Sequence, residues 1–227
     1  MVEKRKKLYP KSKVELSSVI ARHYDRLLDL GSLGLYGGFL KRAIKDIGLK
    51  PTDHILDLGC GTGRNAALMM KYLGPSGKIV GLDLLPEMKE QFEKKFEKEP
   101  RAIFRHQRID VPFDLGEKYD LAFMSFVLHG FPQEVRMVIL NNIKRHLKPG
   151  GQLVILDYAE FDLDKKPLLF RLIFKKFECS YALEFIILNW KKVLAEQGFR
   201  FISEKFYARN YVRLLKVQTQ DFPLENP

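Results

Sequence analysis

Ile55-Leu56-Asp57-Leu58-Gly59-Cys60-Gly61-Thr62-Gly63 is the stretch that decides the fold of this chain. A short apolar run leads into three glycines at alternate positions, and a helical pattern follows from Arg64 to about residue 73. Glycines at such a turn let the backbone approach a ligand closely and aim free amide N–H groups at it. The dinucleotide fingerprint G-x-G-x-x-G would place glycine at position 64, where this chain has Arg64. Asp57, two residues before the first glycine, is also an acid that a pyrophosphate would be repelled by.

Outward from this turn the chain alternates. Apolar runs of strand length lie at His54–Leu58, Lys78–Leu82, Ala102–Phe104, Tyr119–Met124 and Gln152–Leu156, with helical stretches at about 64–73, 86–98 and 133–147 between them. Strands and helices in that order predict an α/β, Rossmann-like, doubly wound and mostly parallel sheet. Upstream, Glu15–Leu30 reads as a helix, and Gly31–Gly38 breaks it before a second helix at about 39–47. Downstream, one long basic and aromatic helix is expected over 165–197, stopped by Gly198. Arg200–Phe206 and Tyr211–Val217 then alternate as an antiparallel hairpin, bringing the sheet to seven strands. The domain is therefore expected to span 14–220, with N-terminal cover helices at 14–48, behind a basic, flexible arm at 1–13.

The 227 residues are enough for one domain with appendages, and a hydrophobic content of 46% supports a substantial core. Two cysteines make no disulfide framework, and no Cys/His cluster has metal-ligand spacing, so no metal is expected and a reducing, cytoplasmic setting is. No apolar stretch reaches membrane-spanning length, and none follows the basic start as a secretory signal would require. The net charge of +11 is localised: residues 1–13 carry +5, Lys165 to Lys192 carry +5, and the remainder is nearly neutral. A neutral body disfavours a general nucleic-acid binder. The two basic segments suit phosphate groups of an anionic lipid surface or an acidic partner, or are simply solvated surface.

With these motifs in place, the chain resembles the class I methyltransferases that use S-adenosylmethionine. Their first motif, acid-x-G-x-G-x-G, matches Asp57 to Gly63. Four later segments match in order. They are Val80 to Met88, Ile109-Asp110-Val111-Pro112-Phe113, Tyr119 to His129, and Leu147 to Leu153 with its Pro149-Gly150-Gly151 turn. The resemblance implies S-adenosyl-L-methionine as cofactor, held by Asp57, Gly59, Cys60, Gly61 and Gly63, by Asp83 and Leu84 at the ribose, by Asp110 and Val111 at the adenine edge, and by Ser125 and Phe126. Bland readings stand beside these: Asp57 as a turn cap, Asp83 as a strand-end acid, Asp110 as a turn residue, Cys60 as a small filler.

Within that family, Tyr24-Asp25-Arg26-Leu27-Leu28-Asp29-Leu30-Gly31-Ser32-Leu33-Gly34-Leu35 is similar to the N-terminal helices of the ubiquinone and menaquinone C-methyltransferases. It departs from that group at Cys60, where a smaller residue is usual, and at Asp157, where Glu is common. The expected activity is methyl transfer to a small apolar or aromatic acceptor, quinol-like or lipid-like. Recruitment of RNA or protein by the basic arm, and a non-catalytic protein retaining the cofactor fold, are the alternatives. Methyl transfer needs alignment and exclusion of water first, and a base only where the acceptor loses a proton. His129, Tyr24 and Asp157 are the candidate catalytic residues, with a structural role lining the methionine end of the cofactor as the alternative for His129. Tyr24 is also a candidate cover for the cofactor, against a plain helix-packing role. The apolar stripe at 167–190, Phe170, Phe174, Phe177, Tyr181, Phe185 and Leu188, is expected to pack on the sheet as core, and the alternative is that this basic-flanked stretch walls the acceptor pocket or rests on a membrane surface.

Overall fold

Side chains along each central strand alternate between two separate apolar cores, so both sheet faces are covered. The structure, a computed structural model, describes residues 9, 12, 24–32 and 34–220, without the side chains of residues 24, 26, 27 and 177. Its strands are β1 (His54–Leu58), β2 (Lys78–Asp83), β3 (Ala102–His106), β4 (Tyr119–Ser125), β5 (Leu147–Tyr158), β6 (Phe199–Tyr207) and β7 (Val212–Thr219). They form one sheet in the order β3-β2-β1-β4-β5-β7-β6. The first five strands pair in parallel, and β7 runs antiparallel to both β5 and β6. The doubly wound sheet and its C-terminal hairpin match the expectation.

The helices are α1 (Tyr24–Gly31), α2 (Leu35–Ile47), α3 (Arg64–Met69), α4 (Pro86–Lys95), α5 (Gln133–His146), α6 (Leu168–Phe177), α7 (Ser180–Phe185) and α8 (Trp190–Glu196). On one sheet face Ile55, Ile79, Leu121, Phe123, Val154 and Leu156 pack with Leu40, Ala43 and Ile44 of α2, Ala66 and Met69 of α3 and Phe92 of α4. On the other, Leu56, Leu58, Val80, Leu82, Ala122 and Met124 pack with Ile139, Leu140 and Ile143 of α5 and with Phe174, Phe185 and Trp190.

Three sequence expectations need correction. The 165–197 helix is three helices, because Glu178 (ψ 159°) and Cys179 (ψ 162°) are extended and Asn189 accepts a hydrogen bond from the Lys192 amide as a new N-cap. The breaks let Phe174, Ala182, Phe185 and Trp190 all reach the same face of the sheet, which one straight rod of ~50 Å could not do. The break before α2 is narrower than Gly31–Gly38. Gly34, at φ 77°, turns the chain, and Gly37 and Gly38 are already helical. Thirdly, β5 is longer than Gln152–Leu156, extending to Asp157 and Tyr158 at its C-terminal end. Of the helix expected at Glu15–Leu30, residues 15–23 lie outside the described residues.

The chain leaves β1 toward β2 and β3, then returns to place β4 on the other side of β1. Loops therefore diverge at the C-terminal ends of β1 and β4, where open α/β sheets bind ligands. The turn after β1 packs against β2 so closely that Gly81 has no room for a side chain. A Cβ there would lie 2.7 Å from Cys60 Sγ and 2.9 Å from Cys60 Cβ. Gly81→Ala should therefore cost about 1–3 kcal/mol in chemical denaturation. A variant as stable as the parent would contradict this packing.

Candidate active site

The turn after β1 is built by hydrogen bonds to the end of β2. The amides of Gly59 and Cys60 donate to Leu82 O at 2.8 and 3.0 Å. Asp83 completes the tie. Its Oδ2 accepts from the Gly61 amide at 2.9 Å, and its Oδ1 accepts from the Leu84 and Leu85 amides at 2.7 and 3.0 Å. Burial raises the Asp83 carboxyl above its ordinary value, and the three amide donors only partly oppose this. Gly61 sits at φ 54°, and a Cβ on it would meet only Met88 Sδ, at 3.9 Å, so its backbone borders open space.

That space is a cavity of about 420 Å³, in the size range of small-molecule sites. Of the residues expected at the site, Gly59, Cys60, Gly61, Asp83, Leu84, Asp110, Ser125, Phe126 and His129 line it. Asp57, Gly63, Val111 and Asp157 do not. Asp57 is buried behind the turn, and Gly63 is the left-handed N-cap of α3, facing Phe92 and Phe96. Val111 gives its carbonyl to Asn142 in the core, and Asp157 stands behind His129. The side chain of Tyr24 lies outside the described residues.

The lining carries four carboxylates, Asp25, Asp83, Asp110 and Glu178, against one guanidinium, Arg64. Such a wall repels phosphates and favours a ligand with positive charge and hydroxyl or amino donors. Asn65 Oδ1 and Ser125 Oγ, both buried in residues of the lining, have no hydrogen-bond partner in the protein, so polar ligand atoms suit them. The donor and acceptor set therefore fits an adenosyl sulfonium: several acids, unpaired polar atoms and no basic cradle.

The cover on this cavity is tied down by charge. On α1, Asp25 accepts from Thr62 Oγ1 at 2.9 Å and faces Lys95 at 3.5 Å, while Asp29 pairs with Arg64 at 2.6 Å. Arg64 also lies over the Tyr36 ring, 5.2 Å from its centroid. A second piece of cover comes from the arm expected to be flexible. Tyr9 lines the cavity, donates to Asp110 Oδ2 at 2.7 Å and meets Phe131 edge-on, and Ser12 Oγ donates to Gly130 O at 2.7 Å. Burial opposes ionisation of Asp110, but Arg108 and Tyr9 outweigh it and hold the carboxyl below its usual range. Burial, with Asp110 next to it, pushes the Tyr9 phenol up to about 12, which keeps it a neutral donor. Tyr9 was invisible to sequence reasoning because a lone tyrosine among lysines carries no periodicity.

At the other end, His129, Asp157, Tyr158 and Glu178 form one hydrogen-bonded group. Asp157 Oδ1 lies 2.7 Å from His129 Nδ1, and the carboxylate is held in place by the amides of His129 (3.2 Å) and Tyr158 (2.8 Å). Glu178 Oε2 lies 3.7 Å from His129 Nε2, and its Oε1 accepts from Tyr158 OH at 2.6 Å. Arg136, fully buried, donates to the carbonyls of Leu128, His129 and Tyr181 and so fixes the loop that carries the imidazole. Burial and Arg136 disfavour the charged ring, yet Asp157 and Glu178 prevail and raise the His129 pKa. Phe126, at φ 54°, is the strained exit of β4, and its ring faces Tyr158 at 5.9 Å. Glu178 was missed by sequence reasoning, which ran one long helix through its position.

Asp57 supports a prediction that needs no ligand. Its Oδ2 is buried without a partner, and burial, then Asp83, push its carboxyl up to about 8. With the folded value above the unfolded ~4, this acid's contribution is fully present at low pH and is lost as pH rises toward about 8. Asp57→Asn should therefore gain in melting temperature relative to the parent as pH climbs through that window. A difference that stays flat with pH would contradict the burial of an unpaired carboxyl.

Comparison with known proteins agrees with this geometry. A family described as "Methyltransferase domain" matches residues 55–151. The demethylmenaquinone methyltransferase of Lactobacillus johnsonii is 31% identical over 150 residues, 64% of this chain and 60% of that protein. The enzyme of the same name from Staphylococcus aureus is 31% identical over 157 residues, 69% of this chain and 64% of that protein. The chain thus spans less than two thirds of the length of these curated relatives. A SAM-dependent methyltransferase from Aquifex aeolicus shares the fold with a TM-score of 0.60 at 21% identity, covering 80% of this chain and 89% of that one. The matched methyltransferase domain, these relatives and the sheet of seven strands together support the class I S-adenosylmethionine-dependent methyltransferase family.

Proposed function

We propose that this protein transfers a methyl group from S-adenosylmethionine to a small apolar or aromatic acceptor bearing an ionisable hydroxyl, a quinol or a related compound. The observation that carries the reading is the cavity at the β1–β4 divergence. Asp25, Asp83 and Asp110 and two unpaired polar atoms line it, with Phe126, Val127, Phe131 and Tyr158 giving it apolar surface. The demethylmenaquinone methyltransferases among its relatives supply the acceptor class.

Bound S-adenosylmethionine would supply the electrophilic methyl group. The ribose hydroxyls suit Asp83, the backbone of Gly59 to Gly61 allows close approach, and the acidic wall favours the positive end of the ligand. Asp110 suits an adenine amino group, in competition with or beside Tyr9. α1 and Tyr9 exclude water. His129 acts as the proton acceptor for the hydroxyl of the acceptor molecule. Asp157 holds Nδ1 as a donor, which leaves the Nε2 lone pair of the neutral ring toward Glu178 and the cavity. Asp157 and Glu178 position and stabilise the imidazolium formed.

Two measurements check this reading. Asp83→Ala should weaken S-adenosylhomocysteine binding in calorimetry by at least about tenfold, the loss of a charged hydrogen-bonding partner being worth ~1.5–3 kcal/mol. Unchanged affinity would overturn the placement. With a quinol acceptor, kcat/KM should rise with pH on a limb above ~6.5, because the base form of His129 is required and its pKa is raised. Glu178→Gln should move that limb to lower pH, by removing a neighbouring negative charge. A limb that does not move, or one that persists in His129→Asn, would exclude His129 as the base.

A further inference from the structure

Helix α6 presents apolar residues to solvent on a face that no described element covers. Leu168, Leu169, Leu172 and Ile173 are 67%, 70%, 58% and 48% exposed. At 100° per residue these four fall on one side of the helix, and Lys176 continues their stripe one turn beyond Leu172. The opposite side, Phe170 and Phe174, is already committed to the core. Buried apolar groups on one side and exposed ones on the other make this a helix with two apolar faces. Isolated exposed leucines are ordinary, but a cluster of four on ten residues marks a contact surface.

The charge around that face identifies what it meets. Between residues 165 and 177 there are five basic residues, Lys165, Lys166, Arg171, Lys175 and Lys176, and no acid. Asp162 and Asp164, just outside, pair with Lys165 and Arg171 at the rim. Lys175 and Lys176 are exposed at the C-terminal end. A second copy of this chain, packed face to face about a two-fold axis, would set this cationic segment against itself. An anionic bilayer offers the opposite charge to the lysines and an acyl layer to the leucines.

We propose that α6 is a peripheral docking helix for an anionic lipid bilayer, with Leu168, Leu169, Leu172 and Ile173 inserted and the exposed Lys165, Lys175 and Lys176 at the headgroups. The docked helix adjoins the cavity. Phe174, on its inner side, meets Tyr158 edge-on at 5.2 Å, and Glu178, the residue after α6, lines the cavity and binds Tyr158 OH. Resting on the functional reading above, this places the apolar acceptor space beside the bilayer that would hold a lipid-soluble acceptor.

The test is co-sedimentation of the full chain with phosphatidylcholine vesicles, with and without phosphatidylglycerol. The protein should pellet with the anionic vesicles at low salt and be released as salt rises. Leu169→Asp combined with Leu172→Asp should lower the partition coefficient by about tenfold or more. S-adenosylhomocysteine affinity of that variant, measured by calorimetry, should equal the parent's. No pelleting of the parent at low salt would overturn the proposal, and so would equal pelleting of the variant. Self-association of the parent that the variant loses, without vesicle binding, would assign the face to a second copy instead and equally overturn it. Failure to bind S-adenosylhomocysteine in parent and variant alike would count against the methyl-transfer reading and leave vesicle binding as an independent result.

Discussion

The bond from the Gly61 amide to Asp83 Oδ2, with the amides of Gly59 and Cys60 on Leu82 O, is the constraint on which the rest of the structure depends. It joins the turn after β1 to the end of β2 through two backbone bonds and one carboxylate. The joint fixes where the backbone of the turn faces open space, and it places Asp83 at the floor of the cavity. Close approach is possible only because the chain lacks side chains where the surfaces meet. A Cβ on Gly59 would lie 2.5 Å from Val127 Cγ2, and one on Gly81 would strike Cys60. Sequence, local geometry and site are here the same fact.

From that joint the two halves of the cavity differ in chemistry. Around Asp83, Asp25 and Asp110 the wall is acidic, and its acids are already partnered by amides, Thr62, Lys95, Tyr9 and Arg108. Around His129 it is aromatic, with a single imidazole fixed by a carboxylate on one side and approached by another on the other. Two such environments, about 420 Å³ together, suit the proposed reaction between a charged donor and an apolar acceptor. The loop of His129 is held from behind by Arg136, whose burial lowers its pKa to about 10 without discharging it at neutral pH. A buried guanidinium on three carbonyls is a rigid mount for the imidazole.

How much of this was legible in the sequence depends on how local each feature is. The β–α alternation, the glycine turn and the C-terminal hairpin follow from spacing alone, and Asp83, Asp110 and His129 were found from their motifs. Asp57 and Gly63 belong to the same motif, yet Asp57 is buried, Gly63 caps α3 and neither lines the cavity, a distinction that the motif alone does not reveal. The 165–197 region kept helical spacing throughout, so its breaks at Glu178–Cys179 and before Asn189 left no periodic trace. Those breaks turn Glu178 inward to Tyr158. Tyr9 reaches Asp110 across 101 positions, a pairing that no pattern in one chain could reveal.

At the centre of the proposed chemistry, one cavity, floored by Asp83 and closed by α1, holds the methyl donor with its reactive end toward His129. A crystal structure with S-adenosylhomocysteine bound tests this most directly. The ribose hydroxyls should lie on Asp83, the adenine against Leu84 and Asp110, and the sulfur nearer to Phe126 and His129 than to Asp110. A ligand bound elsewhere, or one bound here with its sulfur directed away from His129, would contradict it.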